Sequence, residues 1–455
     1  MTRSVMRLFL PSMLAALLLA GCSKDPAEGS YWTMHVIDDS YEGADGVDLV
    51  DIDNDGDADA VVPWEESGVL LLHENPGPAR VREPWGHTRI GGGLSVGKIE
   101  DARFADFDRD GAVDAVVSAT EKGSEQVGVH WLLQPQQAHS ESAWQGTWLD
   151  PSLKYLYLKV AIGQIDGHGA SDIVAGSKAE GKAGGLVWYQ ASAAPGPDNA
   201  RQWRSRFIDE IEWVDSLEIT DINGDGRDDI LLNYWNNLLW YENLAAGTTA
   251  QDAGLPRWKK HRISQTTKSY FADCSAGTAV EAGHLLVVGA DLSAAGPGDV
   301  VAYLVGKNHD AGGRWDGSWL QREIRALEAV PRDPGQDDYK VKGITCGNLD
   351  DDPRLDIVIS MSGRGHGVFA LMNLEDSVTD QTLHLQVIAG AGFNSRKGIK
   401  YDNLVLEDLD RDGDLDIITT EENGASGVLG RLLPGLVTRG LGLIWYENPG
   451  TAPGA

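Results

Sequence analysis

Positive charge is scarce in this chain: 38 Lys and Arg stand against 69 Asp and Glu, a formal net charge of −31. A surface that repels phosphate gains nothing from counterion release, so a nucleic-acid partner is excluded. Cysteine is scarcer, with Cys22, Cys274 and Cys346 the full set. Long apolar runs are missing beyond the first 21 residues, and with them any stop-transfer pattern. Nucleophile elbow, zinc-binding helix and phosphate loop are all absent, which removes the commonest catalytic signatures.

The one apolar run lies in "MTRSVMRLFLPSMLAALLLAGC", with Arg3 and Arg7 ahead of it and small residues before Cys22. That layout reads as a secretory signal over residues 1–21, too short for a membrane span. "LAGC" resembles the bacterial lipobox, in which the Cys becomes the acylated first residue of the mature chain. The resemblance implies a lipid anchor on Cys22, with Ser23 pointing to the bacterial outer membrane or cell surface. "SKDPAEGS" then serves as a flexible tether, residues 22–30. Loss of Arg3 and Arg7 with the signal takes the charge from −31 to −33. In an oxidising compartment Cys274 and Cys346 are free to pair, but sequence cannot give their separation.

What is abundant is a repeated acidic phrase. "DIDNDGDAD" from Asp51 is followed by "DFDRDGAVD" from Asp106, "QIDGHGASD" from Gln164 and "DINGDGRDD" from Asp221. "DLSAAGPGD" from Asp291, "NLDDDPRLD" from Asn348 and "DLDRDGDLD" from Asp408 complete the series. The starts lie 55, 58, 57, 70, 57 and 60 residues apart, a period that signals repeat architecture. Two more phrases keep phase: a strand such as "LLWYENL" or "LIWYENP", then a strand such as "WTMHVI" from Trp32 or "WRSRFI" from Trp203. With the strand leading into the acidic loop, each unit holds four short strands rich in aromatic and β-branched residues.

Seven units of four strands predict an all-β fold, a seven-bladed β-propeller over residues 31–455, which removes long exposed edges by radial repetition. The chain starts with an outer strand, Trp32 to Ile37, and its last unit lacks one. That phase predicts a last blade closed by the N-terminal strand.

In D-x-D-x-D-G-x-x-D, alternate side chains of a tight loop converge hard oxygens on one ion, and the Gly permits a turn that a Cβ resists. The pattern points to Ca2+. An EF-hand is excluded because its twelfth position holds Val62, Val117, Leu232 and Thr419 where a bidentate Glu is needed. The expected ligands are Asp51, Asp53, Asp55 and Asp59; Asp106, Asp108, Asp110 and Asp114; Asp221, Asn223, Asp225 and Asp229; and Asp408, Asp410, Asp412 and Asp416. Four sites follow, in blades one, two, four and seven. Blade six has Asn348, Asp350, Asp352 and Asp356, but Pro353 replaces the Gly and cannot take positive φ. Blades three (Asp166, Asp172) and five (Asp291, Asp299) carry too few carboxylates and are expected to turn without metal.

Loop, strands and period together resemble the FG-GAP or VCBS repeat family, the propeller also found in integrin α-subunit heads and some fungal lectins. The resemblance covers roughly residues 31–449 and implies calcium between the first and second strands of a blade. It does not fix function, since adhesins, lectins and enzyme scaffolds share the repeat. On the opposite face, the loops that lead into the inner strands bring Lys98, Lys340, Lys400, Asp45, Glu100, Asp215, Asp402, Tyr157, His284 and Tyr401 near the axis. Insertions 245–284 and 420–441 flank them. Such a ring suits a glycan or protein ligand. The alternative is a polysaccharide lyase or sugar dehydratase, in which Lys400 or Lys340 neutralises a uronate and Tyr401 or His284 moves the proton.

Overall fold

The computed structural model describes residues 32–450 apart from 92–95, 122, 124–125, 135–143, 180–183, 192–202, 236, 245–256, 266–270, 274–284, 290–299, 310–314, 327–338, 351, 353, 364–365, 375–380, 390–399 and 423–439. The signal, tether, Cys22, Cys274, His284 and the blade-five loop lie outside the described residues. Every regular element among those described is a strand, as the alternating apolar pattern predicts.

Strand β1 (Thr33–Asp38) stands apart from its neighbours in sequence. A first four-stranded antiparallel sheet follows, of β2 (Asp48–Val50), β3 (Asp59–Trp64), β4 (Val69–Glu74) and β5 (Gly86–Ile90). The second holds β6 (Val96–Ala105), β7 (Asp114–Glu121), β8 (Val127–Leu133) and β9 (Gln145–Trp148). The third holds β10 (Tyr157–Gly163), β11 (Asp172–Ser177), β12 (Leu186–Gln190) and β13 (Arg204–Asp209). The fourth holds β14 (Val214–Thr220), β15 (Asp229–Tyr234), β16 (Asn237–Leu244) and β17 (Arg257–Gln265).

The rest forms one 12-stranded sheet built from three antiparallel runs. These are β18 (Phe271–Asp273), β19 (Leu285–Gly289), β20 (Val300–His309) and β21 (Trp315–Ala326); then β22 (Tyr339–Gly347), β23 (Leu355–Gly363), β24 (Gly367–Leu374) and β25 (Gln381–Ala389); then β26 (Lys400–Glu407), β27 (Asp416–Glu422) and β28 (Gly442–Glu447) with β1. The runs meet at narrow seams: a parallel contact from Ile324 to Ala326, and the single pair Ser362↔Lys400.

Strand β1 pairs antiparallel with β28 from Thr33↔Glu447 to Asp38↔Leu443, so the first strand of the fold completes the last run. The same run lies against the first sheet. Ile37, Leu409, Ile418 and Trp445 share a buried core with Trp64 and Leu71. Arg82 of the first sheet pairs with Glu447 at 2.7 Å, and Arg411 pairs with Asp57 at 2.7 Å. The core is thus divided into clusters between consecutive sheets, each filled by one face of a strand pair. The indole rings Trp131, Trp188, Trp240 and Trp445 hold equivalent places in the third strand of their sheets, all at most 1% exposed. Each such indole buries a large apolar area on folding.

Candidate metal centre

The acidic loops join the first strand of a sheet to the second, and four share one backbone solution. In the first, Asp51 accepts N–H bonds from Asp55 (3.1 Å) and Gly56 (3.1 Å), and Asp53 accepts from Asp55 (3.2 Å). Asp55 in turn accepts from Asp57 at 2.8 Å. The same bonds recur around Asp106, Asp221 and Asp408. The glycine at position 6 takes positive φ in each: Gly56 (90°), Gly111 (91°), Gly226 (83°) and Gly413 (106°). Position 4 is also left-handed at Asn54, Arg109 and Arg411, a backbone strain that Asn tolerates more easily than Arg and that the loop's bonds impose on both.

Position 9 does something the sequence pattern did not reveal. Asp59 is buried, and its two oxygens accept the N–H groups of Ile52 (3.1 Å) and Asn75 (2.8 Å). It thereby ties the acidic loop to the end of β4. Asp172, Asp356 and Asp416 repeat the arrangement, Asp172 with Ile165 (3.1 Å) and Ala191 (2.7 Å). Asp114 takes Gln134 N–H at 2.9 Å and the Trp131 indole at 3.1 Å. Burial pushes Asp59 up to about 6, Asp114 to about 7 and Asp416 to about 8, with neighbouring loop carboxylates adding to the effect and the backbone donors opposing it. A dication beside these groups would reverse that cost.

A second role was also missed. The Asn of the "YEN" phrase donates from Asn243 to Ile165 O (2.8 Å) and from Asn448 to Leu349 O (2.9 Å), carbonyls in the preceding sheet's loop. Gln134 does the same for Ile52 O at 3.2 Å. The signal was present as an unexplained recurrence of Asn after Tyr-Glu.

Hard carboxylate donors fit calcium where three of them converge. Asp51, Asp53 and Asp59 place one oxygen each within 4.8 Å of one another, as do Asp106, Asp108 and Asp110, and Asp408, Asp410 and Asp416. Blade four differs. Its Asp225 is held by the Arg227 guanidinium, so a cation there competes with a built-in one. Asp410 likewise contacts Arg82. In blade six Leu349 and Asn373 N–H groups bind Asp356, while Asn348 donates its amide to the Asp352 carbonyl and accepts the Asp350 N–H on Oδ1 at 3.3 Å. Blade three forms the same turn with Gln164 in place of the first Asp, His168 N–H bonding Gln164 Oε1 at 3.1 Å. The turn is therefore compatible with an amide in place of the first carboxylate.

At the other end of the inner strands, the charged residues neutralise one another. Lys98 pairs with Glu65 at 2.6 Å, Arg103 with Asp101 at 2.9 Å, and Lys178 contacts the buried Glu100. Lys400 lies 3.4 Å from Asp402 and contacts Glu422. Asp45, Asp402 and Glu422 cluster there, Asp45 raised by burial and by the Asp402 charge. Burial also opposes ionisation of Asp402, but Lys342, Lys400 and Lys159 outweigh it and hold that carboxyl low. Asp215 accepts the Trp213 indole N–H at 2.8 Å. Tyr401 and Tyr157 are core residues: Tyr401 is 3% exposed, its hydroxyl 3.1 Å from that of Tyr446, and burial pushes it up to about 12. Tyr157 meets the Tyr189 hydroxyl at 3.0 Å. The side chain of Lys340 and all of His284 lie outside the described residues.

Four-stranded antiparallel sheets, each with its loop between first and second strands, define an all-β protein of propeller-like fold. No family model matches the sequence, and no curated protein does. Among solved structures the chain is similar to a Lactobacillus plantarum protein at 9% identity, over 83% of this chain and 89% of that one, TM-score 0.42. It is similar to an Agrocybe aegerita lectin that recognises non-reducing terminal N-acetylglucosamine, at 14% identity over 84% and 88%, TM-score 0.40. BBS1N, solved in complex with ARL6DN, gives 9% identity over 93% and 98%, TM-score 0.47. At these values the likenesses assign this chain neither ligand nor activity.

Proposed function

We propose that the chain closes into a seven-bladed β-propeller of the FG-GAP type, stapled by calcium at the loops of blades one, two, four and seven, and acts as a lipid-anchored extracytoplasmic protein that binds a glycan or protein ligand. The observation that carries the staple is the convergence of three carboxylates in loops of one geometry. The pairing of β1 with β28 supports closure. The "LAGC" phrase supports the anchor, and metabolic labelling with a fatty-acid analogue tests it: the parent chain takes up label and Cys22→Ala does not.

A binding role fits the far rim better than catalysis. Among the described residues its Lys98, Lys178 and Lys400 are engaged with carboxylates, and Tyr401, a residue a lyase would use to move a proton, is buried against Tyr446. A panel of polysaccharides read for both retention and unsaturated product separates the two roles. We expect retention without double-bond absorbance, weakened by Lys98→Ala, whose half-exposed side chain carries little folding energy. Absorbance from the parent chain would instead establish a lyase. Absence of retention on every polysaccharide would leave a protein ligand as the surviving form of the proposal, read by cross-linking at the same rim.

A further inference from the structure

We propose that Asp38, His73 and His87 form a site for a zinc-like transition-metal dication that clamps strand β1 to the first sheet. Asp38 ends β1, His73 lies in β4 and His87 in β5, so the three ligands come from two different sheets. His73 Nε2 is 3.0 Å and His87 Nδ1 is 3.2 Å from the same oxygen, Oδ2 of Asp38. Tetrahedral zinc with bonds near 2.0–2.1 Å separates its ligand atoms by roughly 3.4 Å, and the three ligand atoms here lie within 4.8 Å of one another.

His73 Nδ1 lies 3.3 Å from the carbonyl oxygen of Ala60. In the tautomer that carries its hydrogen there, Nε2 is free to ligate an ion beside Asp38; in the other, Nε2 donates to the carboxylate. A metal-bound imidazole that donates its other N–H to a backbone carbonyl is the usual outer-shell arrangement. Asp38 is likewise held in place, its Oδ1 accepting the Ser40 N–H at 2.8 Å.

The repeat supplies an internal control. In the fourth sheet Tyr241 pairs with Lys260 in register as His73 pairs with His87 in the first. There Asp209, which ends β13, accepts the Tyr241 hydroxyl (2.8 Å) and the Lys260 ammonium (2.7 Å) on one oxygen. Phenol and ammonium bring their own protons to the latch between sheets. At the junction of β1 with the first sheet both donors are replaced by imidazoles, which suit zinc, nickel and cobalt rather than the calcium that the acidic loops favour.

The test titrates the full chain, saturated with calcium, with Co2+ and then Zn2+. We expect one equivalent of cobalt to give a tetrahedral visible spectrum, zinc to displace it, and zinc to raise Tm. His87→Ala should weaken cobalt binding at least tenfold. The double variant His73→Tyr, His87→Lys installs the set found in the fourth sheet; it should keep the fold and lose both the spectrum and the zinc-dependent rise in Tm. A parent chain that binds no cobalt, or a folded double variant that binds it as well as the parent, overturns the proposal. The first result would leave a shared proton in the metal's place.

Discussion

At the scale of single residues, the acidic phrase divides into two jobs that sequence alone merges. Positions 1, 3 and 5 lie toward the tip with oxygens to offer, whereas position 9 is buried, and at Asp59, Asp172, Asp356 and Asp416 its oxygens already bind two backbone N–H groups. Blade three separates these jobs, because Asp172 keeps the buried role where the tip lacks carboxylates. Asp172→Ala should cost about 3 kcal/mol with or without calcium, since it strands the Ile165 and Ala191 N–H groups in the core. Asp55→Ala should cost stability only when calcium is present. Chemical denaturation of both variants in calcium and in chelator checks this; equal calcium dependence would mean that the two positions are not distinct.

A second residue-scale expectation concerns His130, which is buried against Trp148 and held down to about 4 by burial. The unfolded chain protonates this ring near 6.5 while the folded chain does not. Stability from the neutral ring is therefore complete above 6.5 and lost as pH falls toward 4, by about 3 kcal/mol in all. His130→Gln should flatten that acid limb in calcium-saturated protein, and a parallel decline in both proteins would contradict the assignment. The loop carboxylates were legible from spacing. The roles of His130, Asp172 and Asn243 were not, because each depends on partners contributed by other strands.

At the scale of elements, the strands were readable because aromatic and β-branched residues alternate between Gly- and Asp-rich turns, and the period fixed which strand follows which. The pairing of β1 with β28 was also readable, from the phase of the outer-strand phrase at the start of the chain. Sequence did not show that the inner-strand tyrosines turn into the core: Tyr157 and Tyr401 sit in alternating segments whose inward face depends on the neighbouring sheet. Deleting residues 32–38 should expose the β28 edge and uncover Trp445, lower Tm and promote association through the open strand. A deletion variant as stable and monomeric as the parent would show that β1 is an ornament to the last run.

At the scale of the whole molecule, the central claim is that calcium holds the acidic ends of the sheets together. A site with a dissociation constant of about 0.1 mM gains about 1.4 kcal/mol at 1 mM calcium, so four such sites supply about 6 kcal/mol. That matches the net stability of many domains. Chelation should be severe for a second reason: Asp408, Asp410 and Asp412 crowd one loop, and without the ion their charges repel at short range. Asp410 converges with Asp408 and Asp416 despite its contact with Arg82, whereas blade four has Arg227 on Asp225 and no converging trio among the described residues, so it should bind most weakly. The most direct measurement is calcium-binding calorimetry on the full chain, run beside melting curves in calcium and in chelator. The account predicts three tight equivalents and one weaker, a fall in Tm of ten degrees or more on chelation, and loss of one tight equivalent in Asp412→Ala. A chain that binds no calcium, or melts at the same temperature in chelator, would contradict it.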